Sequence, residues 1–242
     1  MHLRFVLFIS LLLWQAAPSY AESVSESTTA ARENEAKQTQ ALNYGAQLLK
    51  ERRPAEAIEN YFDKVIASYE AIYPADVKAT YCARSALERL LYLMQSAVDK
   101  KASVVIGPTW CDAYFLRAYG LIELGRNAQA RESLEKAIAM SPKNAHYLSE
   151  LASLYRREKN WKEAITRYET ASQLAREFSP PESKDIELGE ALRGRGYVLV
   201  ELGRLDEAEA IYKQCLEINS ADNAAIGELR YVQSLRPKQK SQ

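Results

Sequence analysis

A motif with a period of 34 residues recurs along the chain and limits what it can fold into more than any other feature. The stretches LRAYGLIELGRNAQARESLEKAIAMSP from Leu116, LASLYRREKNWKEAITRYETASQLAR from Leu151 and LRGRGYVLVELGRLDEAEAIYKQCLEINS from Leu192 each read as helix, tight turn, helix. Ala130 and Ala164 lie 34 residues apart, and Ala208 follows 44 later, one period plus ten inserted residues. Leu134, Tyr168 and Tyr212 stand four residues after these alanines, and Ala137, Ala171 and Cys215 three residues further on. Small, large and small side chains thus share one helical face. The first helices carry Ala118, Ala152 and Gly196, followed three residues on by Leu121, Tyr155 and Leu199. Small residues let antiparallel helices approach to about 8–10 Å, and the large ones fill the groove beside them.

This arrangement resembles the tetratricopeptide repeat, whose pattern runs W-x2-L-G-x2-Y, then A-x3-F, then P. The likeness covers residues 110–220. Arg117 and Arg195 replace the usual Leu before the small residue, Tyr114, Leu148 and Leu192 replace Trp, and Pro142 alone keeps the terminal proline. The resemblance implies an all-α fold, a right-handed α-solenoid of antiparallel helix pairs. Repeats fall at 110–144, 145–178 and 189–220, with a projecting elbow at 179–188 around Pro180-Pro181. A capping helix follows at 221–235, with Ile226, Leu229, Tyr231 and Val232 on one side. Residues 39–109 form a degenerate, repeat-like region. There Gly45, Leu48, Ala57 and Tyr61 occupy the repeat positions between Leu42 and Ile66. A helix of about Ala75–Asp99 follows, with Leu87, Leu90, Leu91 and Met94 on an apolar stripe, and Val104-Val105-Ile106 is expected to be extended.

The two ends read differently. Residues 1–21 have the form of a secretory signal: Arg4 ahead of the apolar run Phe5–Trp14, then Ser19-Tyr20-Ala21 with small residues at the cleavage positions. Cleavage after Ala21 is predicted, and the short leader points to the bacterial periplasm. The apolar run is about half the roughly 20 residues of a membrane-spanning helix, so no span is expected after cleavage. Residues 22–38 are polar and predict a flexible leader, and 236–242 a solvated basic tail. Lys plus Arg and Asp plus Glu both number 32, so there is no cationic excess to neutralise a nucleic-acid backbone. Nucleic acid is excluded as a main partner on that ground.

No H-E-x-x-H, G-x-S-x-G, Walker loop, G-x-G-x-x-G or C-x-x-C motif occurs, which gives no catalytic, metal or cofactor assignment. His146 is the one histidine outside the leader. Cys215 takes a small inter-helix position and reads as a buried thiol, whereas Cys82 and Cys111 are left open between a disulfide and two free thiols.

Family resemblance implies that the first helices line a concave groove. The groove-facing positions are Asp112, Phe115, Tyr119, Ile122 and Glu123, then His146, Ser149, Ser153, Arg156 and Arg157, then Glu190, Arg193, Tyr197, Val200 and Glu201. Aromatic, aliphatic and oppositely charged residues together suit a peptide or partner helix. The expected function is a non-enzymatic adaptor for another protein of the cell envelope. Phe115, Tyr119 and Tyr197 are its proposed anchors, with Arg156, Arg157 and Arg193 setting register. A homo-oligomer formed through the elbow or the N-terminal helices is the alternative reading, and an enzyme or glycan-fragment binder a third.

Overall fold

Helix pairs closed by one recurring turn make up most of the chain, whose computed structural model describes residues 17–74 and 78–236. Two units are distinguished, Met1–Gln40 and Ala41–Gln242. Most of the expected signal segment and basic tail, residues 1–16 and 237–242, lies outside the described residues. Helix α1 (Ala17–Lys50) runs through 22–38, where composition predicts a flexible leader. Ala, Glu, Gln and Lys are strong helix formers, and they favour helix over this segment. In the first unit Gln38 Nε2 donates to Asn34 Oδ1, one turn earlier, at 3.2 Å.

The second unit continues with α2 (Pro54–Ala57), a π-helical turn (Ile58–Phe62) and α3 (Asp63–Ile72). The three helix pairs read from the sequence are α5 (Thr109–Glu123) with α6 (Asn127–Met140), α7 (Ala145–Arg157) with α8 (Trp161–Phe178), and α9 (Pro181–Glu201) with α10 (Leu205–Ile218). Ala130, Ala164 and Ala208 are fully buried, as are Ala118 and Ala152. Arg52, Gly125, Lys159 and Gly203 each stand five residues before the buried alanine of a second helix, and all four have positive φ, 62°, 72°, 58° and 71°. In each turn this residue's N–H bonds the carbonyl three back, and the next N–H bonds the carbonyl five back, at Leu48, Leu121, Tyr155 and Leu199. This is the Schellman closure, which satisfies carbonyls that a helix end would leave orphaned. The same closure ends a fifth helix at Lys100, but only these four turns are followed five residues on by a buried alanine, which groups the segment from Ala41 to Ile72 with the three later pairs as a degenerate repeat.

The π-helical turn corrects the sequence register there. Counting four residues from Ala57 gives Tyr61, yet the fully buried ring is Phe62, with Val65 fully buried three further on. One extra residue in the turn rotates the following helix, so Phe62 and not Tyr61 meets Gly45. A Cβ on Gly45 would stand 2.5 Å from the Phe62 ring. The same shift aligns Asp63 with Glu169. Arg117 therefore pairs with Asp63 at 2.7 Å as Arg195 does with Glu169 at 2.8 Å, which explains the two arginines that depart from the repeat pattern.

Between the first and second repeats lies an insertion, β1 (Ala79–Cys82), α4 (Ala86–Val98) and β2 (Ser103–Ile106). The strands pair in parallel, Ala79 with Ser103 through Cys82 with Ile106, so the expected extended segment is found. Of the helix predicted over about Ala75–Asp99, residues 75–77 lie outside the described residues, residues 79–82 are drawn into the sheet, and the helix found is α4 from Ala86, capped by Ser85. A disulfide joins Cys82 to Cys111 on α5. Ser141 Oγ at the end of α6 donates to the Cys82 carbonyl at 3.0 Å. Among the described residues the fold is all-α apart from this small sheet.

No ten-residue elbow projects at 179–188. The chain breaks only at Ser179-Pro180, both buried, and Pro181 opens α9 at a first-turn position where its missing N–H costs nothing. The inserted residues lengthen α8 and α9 instead. Helix α11 (Asn223–Leu235) covers the last pair with Ala225 and Val232, while Tyr231 of the predicted apolar side is 52% exposed.

Candidate protein-binding groove

Two adjoining cavities lie along the first helices of the repeats. The first, about 540 Å³, is walled by Leu49 of α1, by Phe115, Leu116, Tyr119 and Glu123 of α5, and by His146 and Glu150 of α7. Its character is apolar. Phe115 is half-buried, its ring 4.8 Å from that of His146 and 5.2 Å from that of Tyr147, so it builds the wall and does not stand free as an anchor. Tyr119 is 45% exposed and is the aromatic presented to an incoming group. Glu123 pairs with Arg52 across the rim at 3.3 Å.

The second cavity, about 320 Å³, is bounded by Ser149, Glu150, Ser153 and Arg156 of α7, by Glu190, Arg193 and Tyr197 of α9, and by Glu228 of α11. The rings of Tyr168 and Tyr212 form its floor from the second helices. They reach it because α9 carries glycine where they pass: a Cβ on Gly194 would lie 2.2 Å from the Tyr168 ring, and one on Gly196 would lie 2.7 Å from Tyr212. The Arg156 guanidinium lies over the Tyr197 ring at 4.8 Å and donates to Ser153 Oγ at 3.3 Å. Its Nε and the buried Ser149 Oγ have no hydrogen-bond partner. Arg193 is already committed, for its Nη1 donates to Asp222, the residue capping α11 through the Ala225 N–H.

Glu150 lines both cavities, and burial pushes its carboxyl above the ordinary carboxylate range against the pull of His146. His146 Nδ1 and Glu190 Oε2 are 2.9 Å apart. Burial opposes the imidazolium, but the Glu190 hydrogen bond and the charges of Glu190, Glu150 and Glu187 outweigh it, and His146 sits above its ordinary value. Asp112 is drawn out of the cavities: it accepts from Tyr147 Oη at 2.5 Å, and burial raises its pKa.

The predicted groove residues therefore divide. Phe115, Tyr119, Glu123, His146, Ser149, Ser153, Arg156, Glu190, Arg193 and Tyr197 line one cavity or the other. Asp112, Ile122, Arg157, Val200 and Glu201 line neither. Ile122 and Val200 pack against the apolar core, and Arg157 and Glu201 lie exposed where α7 and α9 end. Leu49, Glu150, Tyr168, Tyr212 and Glu228 were not foreseen. Glu150 follows His146 by one turn, so helical spacing alone signals it. Among the described residues no three His, Cys, Asp or Glu gather as metal ligands would, and no helix is long and apolar enough to cross a membrane.

Models of the tetratricopeptide repeat match residues 112–144 and residues 144–221. The segment 112–221 thus consists of tetratricopeptide repeats. Among solved structures, the fold is similar to that of pilF from Pseudomonas aeruginosa, at 15% identity and TM-score 0.58 over 84% of this chain and 70% of that one. It is also similar to a putative kinesin light chain with nearly identical TPR-like repeats from Podospora anserina, at 14% identity and TM-score 0.55 over 82% and 85%. No curated protein matches the chain in sequence.

Proposed function

We propose that the protein is a non-enzymatic adaptor that holds a segment of another cell-envelope protein in this groove. The observation that carries the reading is the pairing of an apolar cavity presenting Tyr119 with a polar cavity presenting Arg156 and the unpartnered Ser149 Oγ. An extended or helical segment would place an apolar side chain against Tyr119 and Leu49. Its acidic group would lie at Arg156, whose stacking on Tyr197 holds the guanidinium in position. Export to the periplasm is part of the proposal. The signal-like residues 1–21 support it, as does a disulfide, which persists in an oxidising compartment.

The test is site-specific photo-crosslinking from position 119 in the full chain, made in cells with and without Arg156→Gln. A crosslinked envelope protein, lost with Arg156→Gln while the fold is unchanged, is the expected result. No crosslink from position 119, or one indifferent to Arg156, removes the groove from the function. A crosslink only to a second copy of this chain would favour a homo-oligomeric subunit.

A further inference from the structure

Helix α4 is built inside out. Its inward face is Glu88, Tyr92 and Ser96, all buried. Its outward face is Leu87, Leu90, Leu93, Met94 and Val98, between 45% and 76% exposed, within an arc of about 140°. The orientation is locked by polar contacts. Arg84, itself bonded to Glu187 Oε1 at 2.7 Å, clamps the fully buried Glu88 with Nη2 at 2.9 Å and Nε at 3.1 Å, and Tyr92 Oη accepts from the Lys143 N–H at 3.2 Å. Rolling the leucines inward would break both and set them against only the small apolar cluster of Tyr81, Ala83 and Val105. The outward apolar ridge is therefore a feature of the fold.

The charges around the ridge say what it meets. Helix α4 ends where both strands begin, and Lys78, Lys100 and Lys101 gather at that end, all exposed, with the Ala79 N–H bonded to the Ala102 carbonyl. Asp99 is the one exposed acid in residues 84–101, since Glu88 is buried against Arg84. An apolar helix face flanked by lysines complements an anionic lipid surface. A second copy fits poorly. Two-fold pairing of α4 sets Lys100 and Lys101 against Arg89 or against each other, and a helix of 13 residues, about 20 Å long, offers far less than the ~800 Å² per partner of a stable interface.

We propose that α4 docks the protein on an anionic membrane surface, with Leu87, Leu90, Leu93, Met94 and Val98 in the acyl boundary and the three lysines at the headgroups. The site is separate from the groove and stands whether or not the groove binds a peptide. The full chain carrying Val98→Cys, labelled there with an environment-sensitive fluorophore, is mixed with vesicles of phosphatidylglycerol and phosphatidylcholine or of phosphatidylcholine alone. Cys215 does not compete for label, because it is buried and its thiol is pushed up to about 11. The reporter reads α4 itself, so attachment through another segment leaves it unmoved. Expected are a blue shift with the anionic vesicles, its loss at high salt, and about tenfold or more weaker binding with Leu90→Ser/Met94→Ser. No shift with anionic vesicles overturns the proposal. So does an equal shift with neutral ones, or a shift that grows with protein concentration without vesicles, which would assign the ridge to a second copy.

Discussion

His146 and Glu190 face each other at 2.9 Å from neighbouring first helices, α7 and α9, and join the two cavities of the groove. Because His146 is held above its ordinary value, the pair stabilises the folded state fully below about pH 6.5. That contribution fades as pH rises through the raised value. Urea midpoints should therefore fall between about pH 6 and about pH 9, and Glu190→Gln should flatten the dependence. A parent profile as flat as that of the variant would show that the pair contributes nothing.

Lys159 holds φ 58° in a turn where Gly125 and Gly203 hold the same place in the earlier and later pairs. A left-handed backbone costs a side-chain-bearing residue about 1 kcal/mol relative to glycine, part of which glycine returns as unfolded-chain entropy. Lys159→Gly should be neutral to stabilising by about 0.5 kcal/mol in denaturant unfolding. A loss above about 1 kcal/mol would mean that the Lys159 side chain itself supports the turn.

The repeats were legible because close helix contacts demand small residues at fixed spacing, and Ala130, Ala164 and Ala208 keep that spacing. The π-helical turn was not, because Tyr61 and Phe62 are adjacent aromatics and either satisfies the pattern until packing on Gly45 chooses one. The leucine stripe of α4 could be read, but not its direction. That depends on Arg84, which holds Glu88 and also reaches Glu187, a residue 103 positions away. In the groove, ten of the positions implied by the repeat resemblance line a cavity. The resemblance could not show that Arg193 is taken by Asp222, whose position is set by the start of α11.

The Cys82–Cys111 disulfide closes a sequence separation of 29 and ties the insertion to α5. Loop-closure entropy for a ring of this size gives about 3–4 kcal/mol. Cys82→Ser/Cys111→Ser should lower stability by up to that amount, and intact mass should rise by about 2 Da when the parent is reduced. Two alkylatable thiols in the unreduced protein would contradict the pairing.

Gly194 lies beneath the Tyr168 ring, with a Cβ position 2.2 Å from Cζ. Gly194→Ala should displace that ring into the polar cavity at a cost of about 1–3 kcal/mol, since Tyr168 is 3% exposed and has little room to move. Ligand affinity should fall with stability. Unchanged melting would place the ring elsewhere.

Arg84 bridges the insertion and the last repeat, reaching Glu88 at 2.9 Å and Glu187 at 2.7 Å, while Glu187 also accepts from Ser179 Oγ at 2.5 Å. The two carboxylates are almost wholly buried, at 0% and 8% side-chain exposure, so they depend on this one guanidinium. Burial works against the Arg84 charge, but Glu88 and Glu187 raise its pKa and keep it ionised. Arg84→Met leaves two acids buried without a counter-ion and should cost about 3–5 kcal/mol at neutral pH. The loss should shrink in a background carrying Glu88→Gln and Glu187→Gln, where no buried acid needs the cation. Hydrogen exchange should localise the loosening to α4 and the start of α9. An Arg84→Met loss of equal size with and without the two carboxylates would show that Arg84 acts by packing and not by charge.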